Sequence, residues 1–456
     1  MPPTFTTSTG LLETAIAKQA LTQLNTAAMY SQVCVMNYEP GAFQRGNSVK
    51  IRRPKRRKAT DLNPRSAGLQ FTEAEFFAGE VLLERLWADQ YLYYGYDASQ
   101  AVDLYLEETA SQIADAIAVP KDEYMYNKFR DWSPFASSLA SGAYALGDTP
   151  PFAIAACLDS GGNLVDFNNE GLRGAGVFLE KEDVGDDDNY VLLSPFAKNS
   201  FLGDAIALEG ARLEAQRDPT ASLVVRGIRR NQFVQRYKFM VGGSNSVLGQ
   251  AAVADLDTVA SNQGVLPVAS VADNTQFTYA DFSSTYNVSS GQRIGALDIT
   301  LTAGTALAAG VAVGKICKLA LVSSPTKTTT FFGVILRINA TAPAAPIVTL
   351  VPYAFNGRKA SASEITTSHQ FSIPEIPSVN TVNNREGLLC ANRMIRDPRP
   401  GSGAVAASLR DPVTNQTIQV FSGQYDLGTV SEKNAAYQLM GCRISDCRKT
   451  GLILSN

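Results

Sequence analysis

The sequence predicts an α+β protein carrying an inserted antiparallel β module, and three observations lead there. A long helical pattern, bent near its middle, runs from Asp97 to Trp132. From Ser244 to Ile365 only thirteen of 122 residues are charged, and apolar residues alternate with small polar ones at period two. On both sides of that tract the composition is mixed in the same way, so the tract reads as an insertion into one body.

Composition sets the outer limits. A chain of 456 residues exceeds a single simple core, and the length prior is about three domains. Apolar residues at 45% and charged residues at 18% suit a folded chain with much buried or partner-covered surface. The net charge of −3 provides no global attraction to nucleic acid or to an anionic membrane. The opening MPPTFTTSTGLLETAIAKQ has no basic cluster before an apolar run, and there is nowhere a run of eighteen apolar residues. Neither a secretory signal nor a spanning helix is expected, which places synthesis and folding in cytoplasm.

The arm and first helix occupy residues 1–45, with a helical face through Leu12, Ile16, Ala20 and Leu24 between Leu11 and Ala28. From Gly46 to Pro64 the chain reads as a projecting basic loop, a β-hairpin rather than a tail. Between Lys50 and Lys58 seven of nine residues are basic: Lys50, Arg52, Arg53, Lys55, Arg56, Arg57 and Lys58. Such like charge cannot be buried and projects from the body. A solvated loop, a nucleic-acid or localisation patch and a loop docking on an acidic neighbour all fit this composition. Strand residues flanking the bases favour docking, and the aromatic interleaving of single-strand binders is missing.

Residues 80–140 hold the long helix. The stretch from Gly68 to Tyr96 is strand-like and aromatic, with Phe71, Phe76, Phe77, Trp87, Tyr91, Tyr93, Tyr94 and Tyr96 expected beneath that helix. Asp97 with Gln100 resembles a capping box. Val102, Leu106, Thr109, Ile113 and Ile117 make its apolar face, and Asp103, Glu107, Glu108, Gln112 and Asp115 fall mostly elsewhere. Pro120 should kink the helix and restart it.

Residues 141–243 read as loop to Pro151, helix over 168–178, an acidic turn at Asp186 to Asp188, strand over 190–194 and helix over 197–207. The module, 244–365, shows alternation at Leu297, Ile299 and Leu301, at Cys317, Leu319 and Leu321, and at Phe332, Val334, Leu336 and Ile338, which indicates a sandwich or small barrel. Residues 366–456 return to the body: irregular from Ser372 to Asn392, with strands at 417–421 and 451–454.

Catalytic chemistry finds little support. The six cysteines, at 34, 157, 317, 390, 442 and 447, contain no C-x-x-C pair and are expected to be buried free thiols. The single histidine, His369, sits in a Ser/Thr-rich link and is expected to be neither base nor ligand. GVAVGKI at 310–316 is one residue too short between its glycines for a phosphate loop and lacks Ser or Thr after Lys315. No catalytic residue, metal ligand or cofactor is therefore expected.

The order of parts resembles the major capsid proteins of tailed bacteriophages with the Hong Kong 97 fold, in particular the insertion-domain-bearing coat proteins of short-tailed Salmonella phages. RIGALDITLTAGTALAAGVAVGKICKLALV resembles that family's strand, turn, glycine-lysine and strand sequence, and GTVSEKNAAYQLMGCRISDCRKTGLILSN its closing helix and strand. The resemblance runs nearly the full length. It implies an arm, an extended loop at 46–79, a peripheral domain with a spine helix, an axial domain in two parts and an inserted β-barrel. It implies a non-catalytic subunit of an icosahedral virion shell around double-stranded DNA, self-assembled in the host bacterial cytoplasm through hexameric and pentameric capsomers. Scaffolding, portal and decoration proteins are the implied partners, with no membrane and only non-specific proximity to DNA. Seven bases in the loop exceed the family pattern. Basic residues Arg52, Arg53, Lys55, Arg56 and Arg57 would meet Glu107, Glu108 and Asp115 of another copy. A host-directed glycan- or protein-binding protein with a β-sandwich module is the second reading.

Overall fold

The computed structural model describes residues 6–38, 48–54, 76–94, 102–130, 143–144, 153–181, 184–185, 188–203, 234–236, 238–258, 264–279, 295–304, 306–339, 345–394, 405–411, 415–426 and 431–456. The capping pair Asp97 and Gln100, Phe71 and Tyr96, Asp186 and Asp187, and Lys55 to Lys58 lie outside them.

In chain order the elements are α1 (Thr6–Ala27), α2 (Met29–Gln32), β1 (Val35–Tyr38), β2 (Ser48–Pro54), β3 (Phe76–Leu82), β4 (Arg85–Tyr94), α3 (Val102–Arg130), β5 (Ala143–Tyr144), β6 (Ala153–Ala156), α4 (Asn169–Lys181), β7 (Asn189–Leu193) and α5 (Pro195–Gly203). There follow β8 (Val234–Arg236), β9 (Phe239–Gly243), β10 (Leu266–Asp273), β11 (Thr278–Tyr279), β12 (Leu297–Leu301), β13 (Ile316–Leu321), β14 (Thr330–Asn339), β15 (Ile347–Ala354) and β16 (His369–Ser372). The chain ends with β17 (Ser378–Asn384), β18 (Leu388–Arg393), β19 (Val405–Arg410), β20 (Thr417–Asp426), β21 (Ser431–Ile444) and β22 (Thr450–Ser455).

The chain divides into two compact units, each discontinuous in sequence. The first joins residues 1–50, 80–127 and 388–443. Its sheet runs β1-β18-β21-β20-β19, with β4 also paired to β21. Ile16, Ala20 and Leu24 of α1 are buried with Ala110, Ile113, Ala114 and Ile117 of α3 against Ile418, Val420 and Ala436 of the sheet, and Trp87 and Tyr91 pack on the same cluster. Helical spacing thus put Ile16, Ala20, Leu24, Ile113 and Ile117 inward, while the side chains of Leu12, Val102 and Leu106 lie outside the described ones. The expected restart at Pro120 does not occur: α3 runs through the proline as one helix of 29 residues, about 43 Å at 1.5 Å per residue. The two residues after it, Lys121 and Asp122, are buried and hydrogen-bonded to other elements, which holds the turn that lacks its backbone donor.

The closing segment differs from the helix its resemblance implied. β21 is a strand of fourteen residues, with Ala436, Gln438, Met440, Cys442 and Ile444 buried at period two, and only a single 3-10 turn at Cys447–Lys449 separates it from β22. Residues 372–392, expected to be irregular, contain β17 and most of β18. β17 is SVNTVNN, and all seven residues are buried. Asn380 is accommodated there by its hydrogen bonds: Oδ1 accepts from Ser194 N at 2.9 Å, and Nδ2 donates to Ile453 O at 3.2 Å and Ser455 Oγ at 3.1 Å.

The second unit joins residues 51–79, 128–387 and 444–456. Its mixed sheet has the order β6-β22-β17-β7-β9-β8, and α4 packs Leu172, Ala175, Phe178 and Leu179 against Val191, Val382 and Ile453. A Cβ on Gly451 would lie 2.1 Å from Phe178 Cζ, so glycine there admits the ring.

The same unit contains a closed barrel, β10-β12-β15-β14-β13-β16, filled by Leu266, Ile299, Leu319, Ile335, Leu350, Phe371 and their neighbours. Two expectations change here. His369 is not in a link but begins β16, the closing strand; its Nδ1 accepts from Thr366 N at 3.0 Å, and burial pushes its pKa below the ordinary imidazole value. On β14 Phe331 and Ile335 enter the barrel core, out of step with the expected Phe332, Val334 and Leu336, and after a register shift between Ile335 and Arg337 the expected Ile338 packs against that core. That strand is buried on both faces for most of its length, so it carries no polar face from which parity could be read.

Gln250 fastens the barrel to its entry segment: Oε1 accepts from Ile316 N at 2.9 Å while Nε2 donates to Ile316 O at 2.8 Å. Gln250→Ala leaves both buried groups of Ile316 unpaired and should cost about 2–4 kcal/mol, read as a lowered urea midpoint with unchanged slope.

Candidate functional site

Strands β2 and β3 form a two-stranded sheet. Lys50, Arg52 and Arg53 lie on β2, and Lys55, Arg56, Arg57 and Lys58 follow it outside the described residues.

The root of the hairpin, residues 80–84, is fixed within the first unit by contacts with β21 and α3. Arg443 Nη1 donates to Glu80 O at 3.0 Å. Gly441 lies so close to the chain that an added Cβ would stand 1.8 Å from Leu82 O. Tyr124 Oη donates to Glu84 Oε1 at 2.7 Å and accepts from Cys442 N at 3.1 Å. Burial, with the bond to Glu84, pushes the Tyr124 pKa well above the usual phenol range, so the phenol remains a donor. Trp87 meets the Tyr124 ring edge-on at 5.6 Å between centroids. Sequence reasoning missed Gly441, Tyr124 and Arg443 because their role exists only once β21 is in register.

On α3 the three predicted carboxylates, Glu107, Glu108 and Asp115, are all exposed. Spacing explains it: residues 109, 110, 113, 114, 117 and 118 take the buried side, which leaves 107, 108, 111, 112, 115 and 116 outward. No base occurs among residues 107–119, so this face is acidic.

Below it, Lys121 is fully buried with Nζ donating to Gln416 Oε1 at 2.7 Å, and the Asp122 carboxylate accepts from Met29 N at 2.9 Å and Tyr30 N at 3.2 Å at the start of α2. Burial lowers the Lys121 pKa to about 8, partly offset by the charges of Cys34 and Asp122. The unfolded lysine titrates near 10.5, so between those values the unfolded chain binds the extra proton and stability rises with pH. Lys121→Met should abolish that rise, of about 3 kcal/mol, when unfolding is followed from pH 8 to 10.5.

Among the described residues no group of three or more His, Cys, Asp or Glu could hold a metal, and no helix is long and apolar enough to cross a membrane.

No family model matches the sequence, and no curated protein matches it. Among solved structures, the capsid of the cyanophage P-SCSP1u aligns at 8% identity and TM-score 0.40, covering 94% of this chain and 88% of that one. The capsid of Ralstonia phage GP4 aligns at 8% identity and TM-score 0.37, covering 93% and 88%. The capsid of a native GTA particle aligns at 9% identity and TM-score 0.35, covering 94% and 90%.

Proposed function

We propose that this chain is the major capsid protein of a tailed bacteriophage: a non-catalytic subunit that self-assembles into the icosahedral shell around a double-stranded DNA genome. The observation that carries the reading is the barrel, whose six strands all fall between β9 and β17, two strands of one sheet. An arm helix, a hairpin, a 29-residue helix, a mixed sheet and that insertion follow in the order of the insertion-bearing coat proteins the sequence resembles. In this reading 46–79 is the extended loop, 80–140 the peripheral domain, 141–243 and 366–456 the axial domain and 244–365 the insertion domain.

Assembly follows from charge. A basic hairpin and an acidic helix face on one chain form a heterologous pair, which each copy offers to the next until the lattice closes. The exposed contact would be screened by salt. Scaffolding, portal and decoration proteins are the partners this role calls for, and assembly in the host cytoplasm precedes residence in the virion.

Sedimentation velocity of the purified chain at rising ionic strength tests the reading. Fast-sedimenting shells or capsomers that dissociate with salt are expected, and a monomer at every concentration and salt would overturn it.

A further inference from the structure

The six cysteines divide into two chemical classes. Cys34, Cys157, Cys317 and Cys447 are buried and not disulfide-bonded, as expected from their spacing, whereas Cys390 and Cys442 are joined as a disulfide, which that spacing did not predict. Burial pushes the thiols of Cys157 and Cys317 up to about 12, so neither supplies thiolate for exchange near neutral pH.

The bonded pair sits on β18 and β21, which are hydrogen-bonded neighbours in the first unit's sheet. That pairing holds the two Cα atoms 4.2 Å apart. The backbone around them is satisfied independently of the sulfurs: Cys442 N donates to Tyr124 Oη at 3.1 Å, and Cys390 pairs in register with Met36 of β1. The two strands are therefore held also by backbone bonds that do not involve the sulfurs. The bond spans 52 residues, a segment that includes β19, β20 and most of β21, on which α1 and α3 pack. Closing a loop of that length removes much conformational freedom from the unfolded chain.

We propose that Cys390 and Cys442 form a redox-governed latch, which closes after the sheet has folded and reopens to two thiols under reducing conditions with the sheet retained. The oxidant is a low-molecular-weight disulfide such as oxidised glutathione. Cys390 and Cys442 are themselves buried, so exchange takes place during transient local opening of the strand pair. One protein thiolate attacks the small disulfide, forming a mixed disulfide and releasing one glutathione thiolate, and the second protein thiolate then displaces the other glutathione. The protein loses two protons and two electrons, and both glutathiones leave reduced. The latch does not depend on the shell reading and operates in the isolated subunit.

The full chain is incubated with oxidised glutathione or with a phosphine reductant, and each sample is alkylated with N-ethylmaleimide in denaturant without further reduction. The oxidised sample should take four maleimides and yield a linked peptide pair containing Cys390 and Cys442, and the reduced sample should take six. Both should have the same far-ultraviolet circular dichroism, with the oxidised form melting roughly 10 °C higher. Cys390→Ser and Cys442→Ser should melt like the reduced chain in either buffer. Six maleimides after oxidation, a different pairing, an unfolded reduced chain or equal melting temperatures would each overturn the latch. Should the serine variants fail to fold, the wild-type comparison decides alone.

Discussion

Replacing Arg52, Arg53, Lys55, Arg56 and Arg57 by glutamine should abolish assembly and leave the subunit folded. Five positive charges are removed from a net charge of −3, so the variant becomes more soluble and repels its own copies more strongly. Seven like charges in nine residues cannot be buried together, so melting should move by less than about 2 °C. A reciprocal variant tests the partner face. Glu107, Glu108 and Asp115 are exposed on α3, and changing all three to lysine should block assembly of otherwise wild-type chains. Mixing that variant with one bearing glutamate at the five hairpin positions should restore higher-order species, by the logic of a double-mutant cycle. Native gels and light scattering read the outcome; normal assembly of either single variant would remove the hairpin from its assigned role.

Gly441→Val should be the most destabilising single change at the hairpin root, costing more than about 4 kcal/mol. The new Cβ would stand 1.8 Å from the Leu82 carbonyl oxygen and 3.2 Å from Leu83 Cα, backbone atoms that cannot rotate away. Either β21 or the strand feeding the hairpin must leave its place, which disturbs the neighbouring Tyr124 and Arg443 bonds as well. Gly185→Ala is the control, since nothing lies within 4 Å of its would-be Cβ. Urea denaturation of both variants should separate them clearly. A Gly441→Val chain as stable as wild type would mean that the root is not anchored there.

The parts of this fold that were legible in the sequence are those whose signal is local. Ile113 and Ile117 point inward because of helical spacing, and Leu297, Ile299 and Leu301 enter the barrel because strands alternate. The hidden parts depend on partners far away in the chain. β17 reads as polar because its Asn380 is satisfied by Ser194, 186 residues earlier. β21 is rich in residues that a helix also accepts, and its pairing with β18, β20 and β4, not its composition, makes it a strand. The Cys390–Cys442 bond needed the register of two strands 52 residues apart. For the candidate site, the acidic helix face was visible from spacing, while the anchoring by Gly441, Tyr124 and Arg443 appears only in three dimensions.

Cryo-electron microscopy of the purified, self-associated chain tests the central claim most directly. Closed icosahedral particles should appear, with density for residues 50–58 of one copy lying over Glu107, Glu108 and Asp115 of its neighbour. Discrete monomers under all conditions, or closed particles whose basic hairpins stand alone in solvent, would contradict it.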